Sequence, residues 1–211
     1  MPAPILEVRG LVKRYTRGLF ARRETFRLEA EFSMSESAIV GVMGPNGSGK
    51  TTLFELITGS NTPGAGSVLV MGRNIHDVKY KERDRLAIHY HQSYQVRRFR
   101  RTRPAFLMQP AGHDYPMVHL FDEPQFNTRD GYIGFMLDFF RRLRSQGRLV
   151  LVCLHPNEPY HIELMEEVCE RFVFVLAGRV REYPDFRAMV EAPDVRSYLG
   201  RLAPLAAVSR R

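Results

Sequence analysis

The stretch AIVGVMGPNGSGKTTLFELITG, residues 38–59, constrains the fold more than any other part of this chain. It opens with a continuous apolar run, which is typical of a buried strand, and closes with Leu53, Leu56 and Ile57 at helical spacing. The turn between them, residues 44–51, matches G-x-x-x-x-G-K-[ST], the pattern of a loop that binds phosphate. Its glycines let backbone N–H groups point at phosphate oxygens, and the helix N-terminus adds positive charge. The stretch therefore predicts a strand, a phosphate-binding loop and a helix, in that order.

Two side chains of this loop have distinct predicted roles. Lys50 is expected to reach the β- and γ-phosphates of a nucleotide, and Thr51 to offer its hydroxyl to Mg²⁺. The full set of loop residues predicted to bind nucleotide is Gly44, Asn46, Gly47, Ser48, Gly49, Lys50, Thr51 and Thr52.

Two later apolar runs also end in side chains that suit nucleotide chemistry. MVHLFDEP leads into Asp122, which can hold Mg²⁺, and Glu123 follows, where it can polarise an attacking water. RLVLVCLH ends in His155, which can contact a γ-phosphate, because ligands of such sheets bind beyond the carboxyl ends of the strands. Gln92, at the end of AIHYHQ, could bind Mg²⁺ or the attacking water, and Tyr15 could stack on an adenine.

The rest of the chain alternates apolar strands with helices, which predicts an α/β fold with a largely parallel core. The first 35 residues alternate instead, as antiparallel strands with one wet face do. The final segment, PDFRAMVEAPDVRSYLGRLAP, is expected to be a polar helical tail. We expect a single domain over residues 1–211.

The motifs RYT, GPNGSGKTTL, LFDEP and LH, with Gln92, occur in the order in which the ATP-binding cassette (ABC) ATPases carry them. The chain resembles that family over nearly its whole length, and GPNGSGKTTL and LFDEP resemble its Walker A and Walker B motifs. GRVREYPDF and EAPDVRSYLG resemble the C-terminal end of cassettes that serve branched-chain amino-acid transporters and lipopolysaccharide exporters. The resemblance implies a P-loop NTPase fold of the ABC type, with ATP and Mg²⁺ as cofactors.

The same resemblance assigns a role to individual positions. Tyr15 stands where the family stacks an aromatic ring on adenine, and Gln92 stands at the Q-loop. Glu123 stands at the catalytic base, and His155 at the switch histidine. The remaining histidines match no motif and are expected to be structural or exposed; they are His76, His89, His91, His113, His119 and His161.

One family motif is missing from this sequence. No LSGGQ signature occurs, and Asp122 follows Gln92 by only 30 positions, too few for the family's helical subdomain. The signature would fall near VRRFR, residues 96–100, so we expect a truncated helical subdomain. EPQFNTRD also departs from the family, which usually has Leu-Asp in that segment, whereas this chain has Arg129 before Asp130.

Five arginines lie between Arg97 and Arg103, at the position of the missing signature. They could replace its charge stabilisation of the γ-phosphate, as an arginine finger does in other P-loop enzymes. They could equally form a solvated basic helix face, or contact a nucleic-acid backbone. The sequence leaves these three readings open.

The net charge of +8 suggests an anionic partner: a nucleotide, a nucleic acid or a membrane surface. Two cysteines are too few for a disulfide framework, so a reducing compartment is expected. The N-terminus does not read as a signal peptide, and the longest apolar runs are too short to span a bilayer. We therefore expect a cytoplasmic protein that reaches the inner face of the membrane through a partner.

Two functions from different classes fit these observations. The first is an ATP-binding, ATP-hydrolysing subunit of an ABC transporter, acting as a homodimer or heterodimer with a membrane subunit, with a second ATPase that carries LSGGQ, or with both. The second is a non-transport nucleotide switch that binds nucleic acid or another protein. A P-loop kinase of small molecules is disfavoured by the adjacent Asp122 and Glu123 and by the histidine at a strand end.

Overall fold

The computed structural model describes residues 3–18, 23–90, 116–124 and 132–203. Within these ranges, ten strands form one sheet. In chain order the strands are β1 Leu6–Arg17, β2 Arg23–Met34, β3 Ile39–Met43, β4 Ala65–Val70, β5 Arg73–Asn74, β6 Ala87–Tyr90, β7 Val118–Asp122, β8 Leu149–Cys153, β9 Arg171–Leu176 and β10 Arg179–Tyr183. The helices are α1 Lys50–Ile57, α2 Tyr80–Leu86, α3 Tyr132–Ser145, α4 Pro159–Val168, α5 Phe186–Glu191 and α6 Pro193–Leu199, followed by a 3₁₀ turn at Gly200–Leu202.

The sheet has the strand order β5-β4-β1-β2-β10-β9-β3-β8-β7-β6 and divides into two halves. The parallel half comprises β9, β3, β8, β7 and β6, and all of its neighbouring pairs run parallel. The antiparallel half comprises β5, β4, β1 and β2, whose neighbours run antiparallel. β10 joins the halves, since it pairs antiparallel with β9 and meets β2 at one parallel position, Arg179 opposite Glu29.

Strands of the parallel half are covered on both faces. Every residue of β3, β7 and β8 is buried, which explains why these strands are continuous apolar runs in the sequence. In β3, Val40 and Val42 join the hydrophobic cluster that contains α1, whereas Ile39 and Met43 join the cluster that contains buried residues of α3 to α6. The sheet is therefore a middle layer between helices, and the carboxyl ends of its strands form one edge.

The antiparallel half has the alternating pattern expected from the sequence. In β2, the apolar residues Leu28, Ala30, Phe32 and Met34 are buried, and the polar residues between them are partly or fully exposed. A period of two places one face of a strand on the core and the other in water. The predicted α/β fold, with its parallel core and antiparallel N-terminal portion, is thus confirmed.

A tight turn at Ala177 and Gly178 connects β9 to β10 and ties the halves together. Both residues have positive φ, +47° and +77°, as a two-residue hairpin turn requires. The Gly178 N–H donates to the Ser48 carbonyl oxygen at 3.0 Å, and the Gly178 carbonyl accepts from the Glu29 N–H at 2.7 Å. One residue therefore contacts the loop after β3 and the antiparallel strand β2.

The C-terminal segment is helical, as expected, but it is not a polar tail. The segment forms two short helices, and Phe186, Met189, Val195 and Leu199 are buried in the core. Ala192 has an extended backbone before Pro193, because proline disfavours the helical conformation in the preceding residue. The break gives each short helix its own apolar face, which a single-helix reading of the sequence does not reveal.

The predicted truncation of the helical subdomain falls on residues 91–115, which lie outside the described residues. Among the helices that are described, none is long and apolar enough to cross a lipid bilayer.

Candidate nucleotide-binding site

The predicted phosphate-binding loop connects β3 to α1. Gly44 and Gly49 have φ of +149° and +111°, which other residues rarely adopt. A Cβ at Gly44 would also lie 2.0 Å from the Val175 carbonyl oxygen, so no side chain fits there. The first turn of α1, which is described in full, carries no acidic residue, so its positive end is not neutralised from within the helix.

Lys50 is held inside this loop. The residue is 7% exposed, and its Nζ donates to the carbonyl oxygens of Gly44 at 2.7 Å and Pro45 at 3.0 Å. Ser48 is also buried, and among the described residues its Oγ has no hydrogen-bond partner. A phosphate group would give the ammonium an anionic acceptor and the hydroxyl a partner, so the loop fits the phosphate of a nucleotide.

The loop forms one wall of a cleft of about 230 Å³. The opposite side of the cleft is the end of β7 and the residue after it. The lining residues are Phe26, Asn46, Gly47, Gly49, Lys50, Thr51, Thr52, Asp122 and Glu123. The structure therefore brings together the loop and the acidic pair, which are far apart in sequence.

Thr51 and Asp122 meet in this cleft. Thr51 Oγ1 donates to Asp122 Oδ2 at 2.9 Å, and Asp122 is 7% exposed. Burial raises the pKa of Asp122, but its contact with His89 and its hydrogen bond from Thr51 outweigh that effect, so the net pKa lies below its usual value. An ionised carboxylate beside a hydroxyl is a donor set that suits Mg²⁺, which prefers oxygen ligands and shares its coordination with phosphate and water.

His89 was expected to be structural or exposed, and the structure places it beside Asp122. Its Nε2 lies 3.6 Å from Asp122 Oδ2, and its ring meets Phe54 edge-on at 5.5 Å. The contact arises because β6 pairs in parallel with β7, with His89 opposite Leu120. Sequence reasoning missed His89 because strand order is not visible in a single sequence.

Glu123 follows β7 directly and has a strained backbone. Its φ is +47°, in the left-handed region, and its N–H donates to the Cys153 carbonyl oxygen at 3.0 Å. Such a conformation costs of the order of 1 kcal/mol or more in a non-glycine residue and persists only where the surroundings enforce it. Here the bond to the end of β8 holds the residue, and its side chain lines the cleft.

His155, two residues beyond β8, is half-buried and is held by a tyrosine that sequence reasoning missed. The Tyr198 hydroxyl and His155 Nδ1 are 2.9 Å apart, and the ring centroids are 5.9 Å apart. Tyr198 lies on α6, within the segment that was expected to be a polar tail. Its position four residues before Leu202 and three after Val195 was the only sequence signal that it lies near the core.

Two aromatic rings extend the site towards the antiparallel half. Tyr15 is 37% exposed, and Asn61 Nδ2 donates to its hydroxyl at 2.8 Å. Phe26 lies beside it, with ring centroids 6.2 Å apart, and lines the cleft, whereas Tyr15 is not among the lining residues. Phe26 was not predicted, although β2 pairs it with Tyr15 directly.

Gln92 and the arginines at 97–103 lie outside the described residues, as do His91 and His113. The predicted roles of Gln92 and of the arginines therefore remain predictions. His119, expected to be structural or exposed, is fully buried, with Nδ1 3.1 Å from the Tyr90 hydroxyl.

The chain has the fold of the P-loop NTPases of the ABC ATPase type. Residues 28–125 match the family model described as "ABC transporter". The resemblance to the ABC ATPases drawn from the sequence motifs is therefore confirmed.

Solved structures show the same fold. A nucleotide-free ATP-binding cassette from an ABC transporter superposes with a TM-score of 0.68 at 15% identity, over 92% of this chain and 98% of the other. A dimeric ATP-binding cassette in a post-hydrolysis state, bound to ADP and Pi, gives a TM-score of 0.61 at 16% identity, over 85% and 98%.

Three curated relatives match shorter segments. ATP-binding protein ChvD of Rhizobium radiobacter is 43% identical over 34% of this chain, and sulfate/thiosulfate import ATP-binding protein CysA of Bordetella bronchiseptica is 40% identical over 37%. Energy-dependent translational throttle protein EttA of Mycobacterium tuberculosis is 57% identical over 20%. The aligned segments span 23%, 20% and 8% of these relatives' own lengths, respectively.

Proposed function

We propose that this chain is an ATP-binding, ATP-hydrolysing subunit of an ABC transporter that works with a partner ATPase, a membrane subunit or both. The observation that carries this proposal is one cleft lined by Lys50, Thr51, Asp122 and Glu123, at the carboxyl edge of the parallel half. These side chains supply the charges and hydroxyl that phosphoryl chemistry requires. The family match and the import function named for one relative favour transport.

Four side chains of the cleft have a role in the proposed reaction. Lys50 leaves the carbonyls of Gly44 and Pro45 and donates to phosphate oxygens. Thr51 and Asp122 would hold Mg²⁺, which would offset the phosphate charge. Glu123 accepts a hydrogen bond from the attacking water and takes up its proton.

A partner is part of this proposal because the sequence has no LSGGQ. In the ABC family that motif, supplied by the second subunit, completes the site over the phosphates. A partner carrying the motif would close this chain's cleft in a heterodimer. In a homodimer, the arginines between 97 and 103 would have to take its place.

A non-transport switch is the second candidate. The net charge of +8 favours an anionic macromolecule, and one relative is named a translational throttle protein. Nucleic-acid binding that weakens steeply with salt would favour this reading over transport, because phosphate contacts release counterions.

The test is Mg·ATP binding and turnover by the purified chain across protein concentrations. Lys50→Ala is expected to weaken ATP binding about 10- to 100-fold, since a charge-assisted hydrogen bond is lost. Glu123→Gln is expected to keep binding and abolish turnover. Lys81→Ala and Glu163→Gln, both at exposed helix positions, are the matched controls.

The concentration dependence separates the partner models. Turnover that rises with protein concentration indicates a homodimer, whereas binding without turnover indicates half of a heterodimeric site, to be completed by an added LSGGQ-bearing ATPase. A wild-type chain that binds no Mg·ATP would refute the proposed function.

A further inference from the structure

The C-terminal helix α6 returns to the nucleotide site and places a tyrosine beside His155. Val195 and Leu199 of α6 are buried and anchor the helix in the core. The Tyr198 ring packs between Phe174 of β9, at 5.5 Å, and His155, at 5.9 Å between ring centroids. The position of Tyr198 is therefore set by packing as well as by its hydrogen bond.

The hydroxyl of Tyr198 is hydrogen-bonded to His155, since its oxygen lies 2.9 Å from Nδ1 of the ring. Burial raises the pKa of Tyr198, and the nearby backbone of Gly44, the first residue of the phosphate-binding loop, acts in the opposite direction.

A hydroxyl has one hydrogen to donate and two lone pairs to accept. The Tyr198 hydroxyl can therefore donate to an unprotonated Nδ1 of His155 or accept from a protonated one, and the tautomer of the ring decides which. A neutral imidazole whose Nδ1 accepts must carry its hydrogen on Nε2, the nitrogen on the other side of the ring.

We propose that Tyr198 is a positioning residue that donates its hydroxyl hydrogen to Nδ1 of His155 and so fixes the ring as the Nε2–H tautomer. Nε2–H is then the donor that His155 presents to an anionic oxygen, the γ-phosphate of ATP. This role rests on the proposed function, because it assigns the donor atom at the same site. It also links the C-terminal segment to the site, since moving α6 would release the His155 ring.

The chain offers a conservative variant and a matched control. Tyr198→Phe removes the hydroxyl and keeps the ring that packs on Phe174 and His155. Tyr183→Phe removes a hydroxyl from β10, where the ring packs against the same hydrophobic cluster. Urea unfolding of both variants verifies that the fold is retained.

The first readout is the ¹⁵N spectrum of the histidine side chains in the full chain without nucleotide, with His155 assigned by His155→Gln. In the wild type, we expect protonated Nε2 and hydrogen-bonded, unprotonated Nδ1 for His155. In Tyr198→Phe, both nitrogen signals are expected to move towards those of an imidazole that exchanges between tautomers, and in Tyr183→Phe they stay in place. Identical His155 signals in the wild type and Tyr198→Phe, or protonated Nδ1 in the wild type, would overturn the proposal.

The second readout is Mg·ATP turnover, in whichever assembly of the wild type hydrolyses ATP. Tyr198→Phe is expected to lower kcat about five- to tenfold with an unchanged KM, because one neutral hydrogen bond orients the donor. A shifted tautomer with an unchanged kcat would overturn the link to the γ-phosphate. If Tyr198→Phe shifts the tautomer but the wild type neither binds nor hydrolyses ATP, the proposed function is refuted. The positioning of His155 by Tyr198 would still stand.

Discussion

In the parallel half of the sheet, β3, β7 and β8 are buried along their whole length, whereas β2 in the antiparallel half alternates between buried and exposed residues. Strands covered on both faces present polar groups to a ligand at or beyond their ends, which is where Asp122, Glu123 and His155 lie. Strands with a wet face can present side chains along their length, as β1 and β2 do with Tyr15 and Phe26. The parallel half thus supplies acidic and imidazole groups of the candidate site, and the antiparallel half supplies two aromatic rings, Phe26 in the cleft and Tyr15 beside it.

The strongest test of this comparison is a substitution in the turn at Ala177 and Gly178, which connects the two halves of the sheet. A Cβ at Gly178 would lie 1.8 Å from the Arg27 carbonyl oxygen, so Gly178→Ala must separate β10 from β2. We expect a loss of about 3 kcal/mol in the free energy of unfolding, from overpacking and positive φ together. Urea denaturation measures it.

Gly147→Ala is the matched control for Gly178→Ala. Gly147 has φ of +78°, against +77° at Gly178, but nothing lies within 4 Å of its Cβ position. Its replacement is expected to cost only about 1 kcal/mol, from backbone strain alone. Equal losses in the two variants would mean that the contact between the halves contributes little.

The burial of the parallel half predicts that the free energy of unfolding depends on pH. Burial lowers the pKa of His119, on β7, to about 3. The neutral form is therefore favoured in the folded state, and the unfolded chain binds more protons between about pH 6.5 and pH 3. Stability from this group is present above pH 6.5 and falls by up to about 1.4 kcal/mol per pH unit as the pH drops, or about 2 kcal/mol at pH 5.

Replacing His119 separates its effect from those of other titrating groups. His119→Gln keeps hydrogen-bonding atoms near Tyr90 and Pro116, and it should flatten the fall in urea stability between pH 6.5 and 5. His161→Gln, at a less buried histidine whose pKa burial also lowers, should change that slope much less. If stability fell with pH as steeply in His119→Gln as in the wild type, water would have to reach β7.

The roles of the two aromatic rings can be tested with two ligands, ATP and inorganic triphosphate. Tyr15→Ala is expected to weaken ATP binding about tenfold and leave triphosphate binding unchanged, because only the base is stacked. Phe26→Ala is expected to weaken both, since the Phe26 ring packs against Gly49 of the phosphate-binding loop. Calorimetric titration of each ligand measures the difference, with Tyr80→Ala, at an exposed tyrosine of α2, as the control. A Tyr15 variant that loses triphosphate as well would contradict a base-stacking role.

The sequence was sufficient for features that depend on local pattern. The loop at 44–51 and the apolar runs of β3, β7 and β8 follow from spacing alone, and the structure has them at those places. His89 and Tyr198 were not predictable because their contacts depend on strand order and on the return of α6, which join residues 33 and 43 positions apart. Long-range contacts of this kind are set by packing, which a single sequence does not display.

The smallest expected effect concerns the strain at the end of β7. Because Glu123 has φ of +47°, glycine should fit its backbone better than alanine does. We expect Glu123→Gly to be more stable than Glu123→Ala by about 1 kcal/mol in urea denaturation, while both variants lack the proposed base. At Asp138, an exposed position of α3, the same pair should differ by about 1 kcal/mol in the opposite sense, because glycine weakens a helix. If the two variants at position 123 were equally stable, the backbone there would not be strained. The hydrogen bond from the Glu123 N–H to the Cys153 carbonyl oxygen would then not be holding an unfavourable conformation.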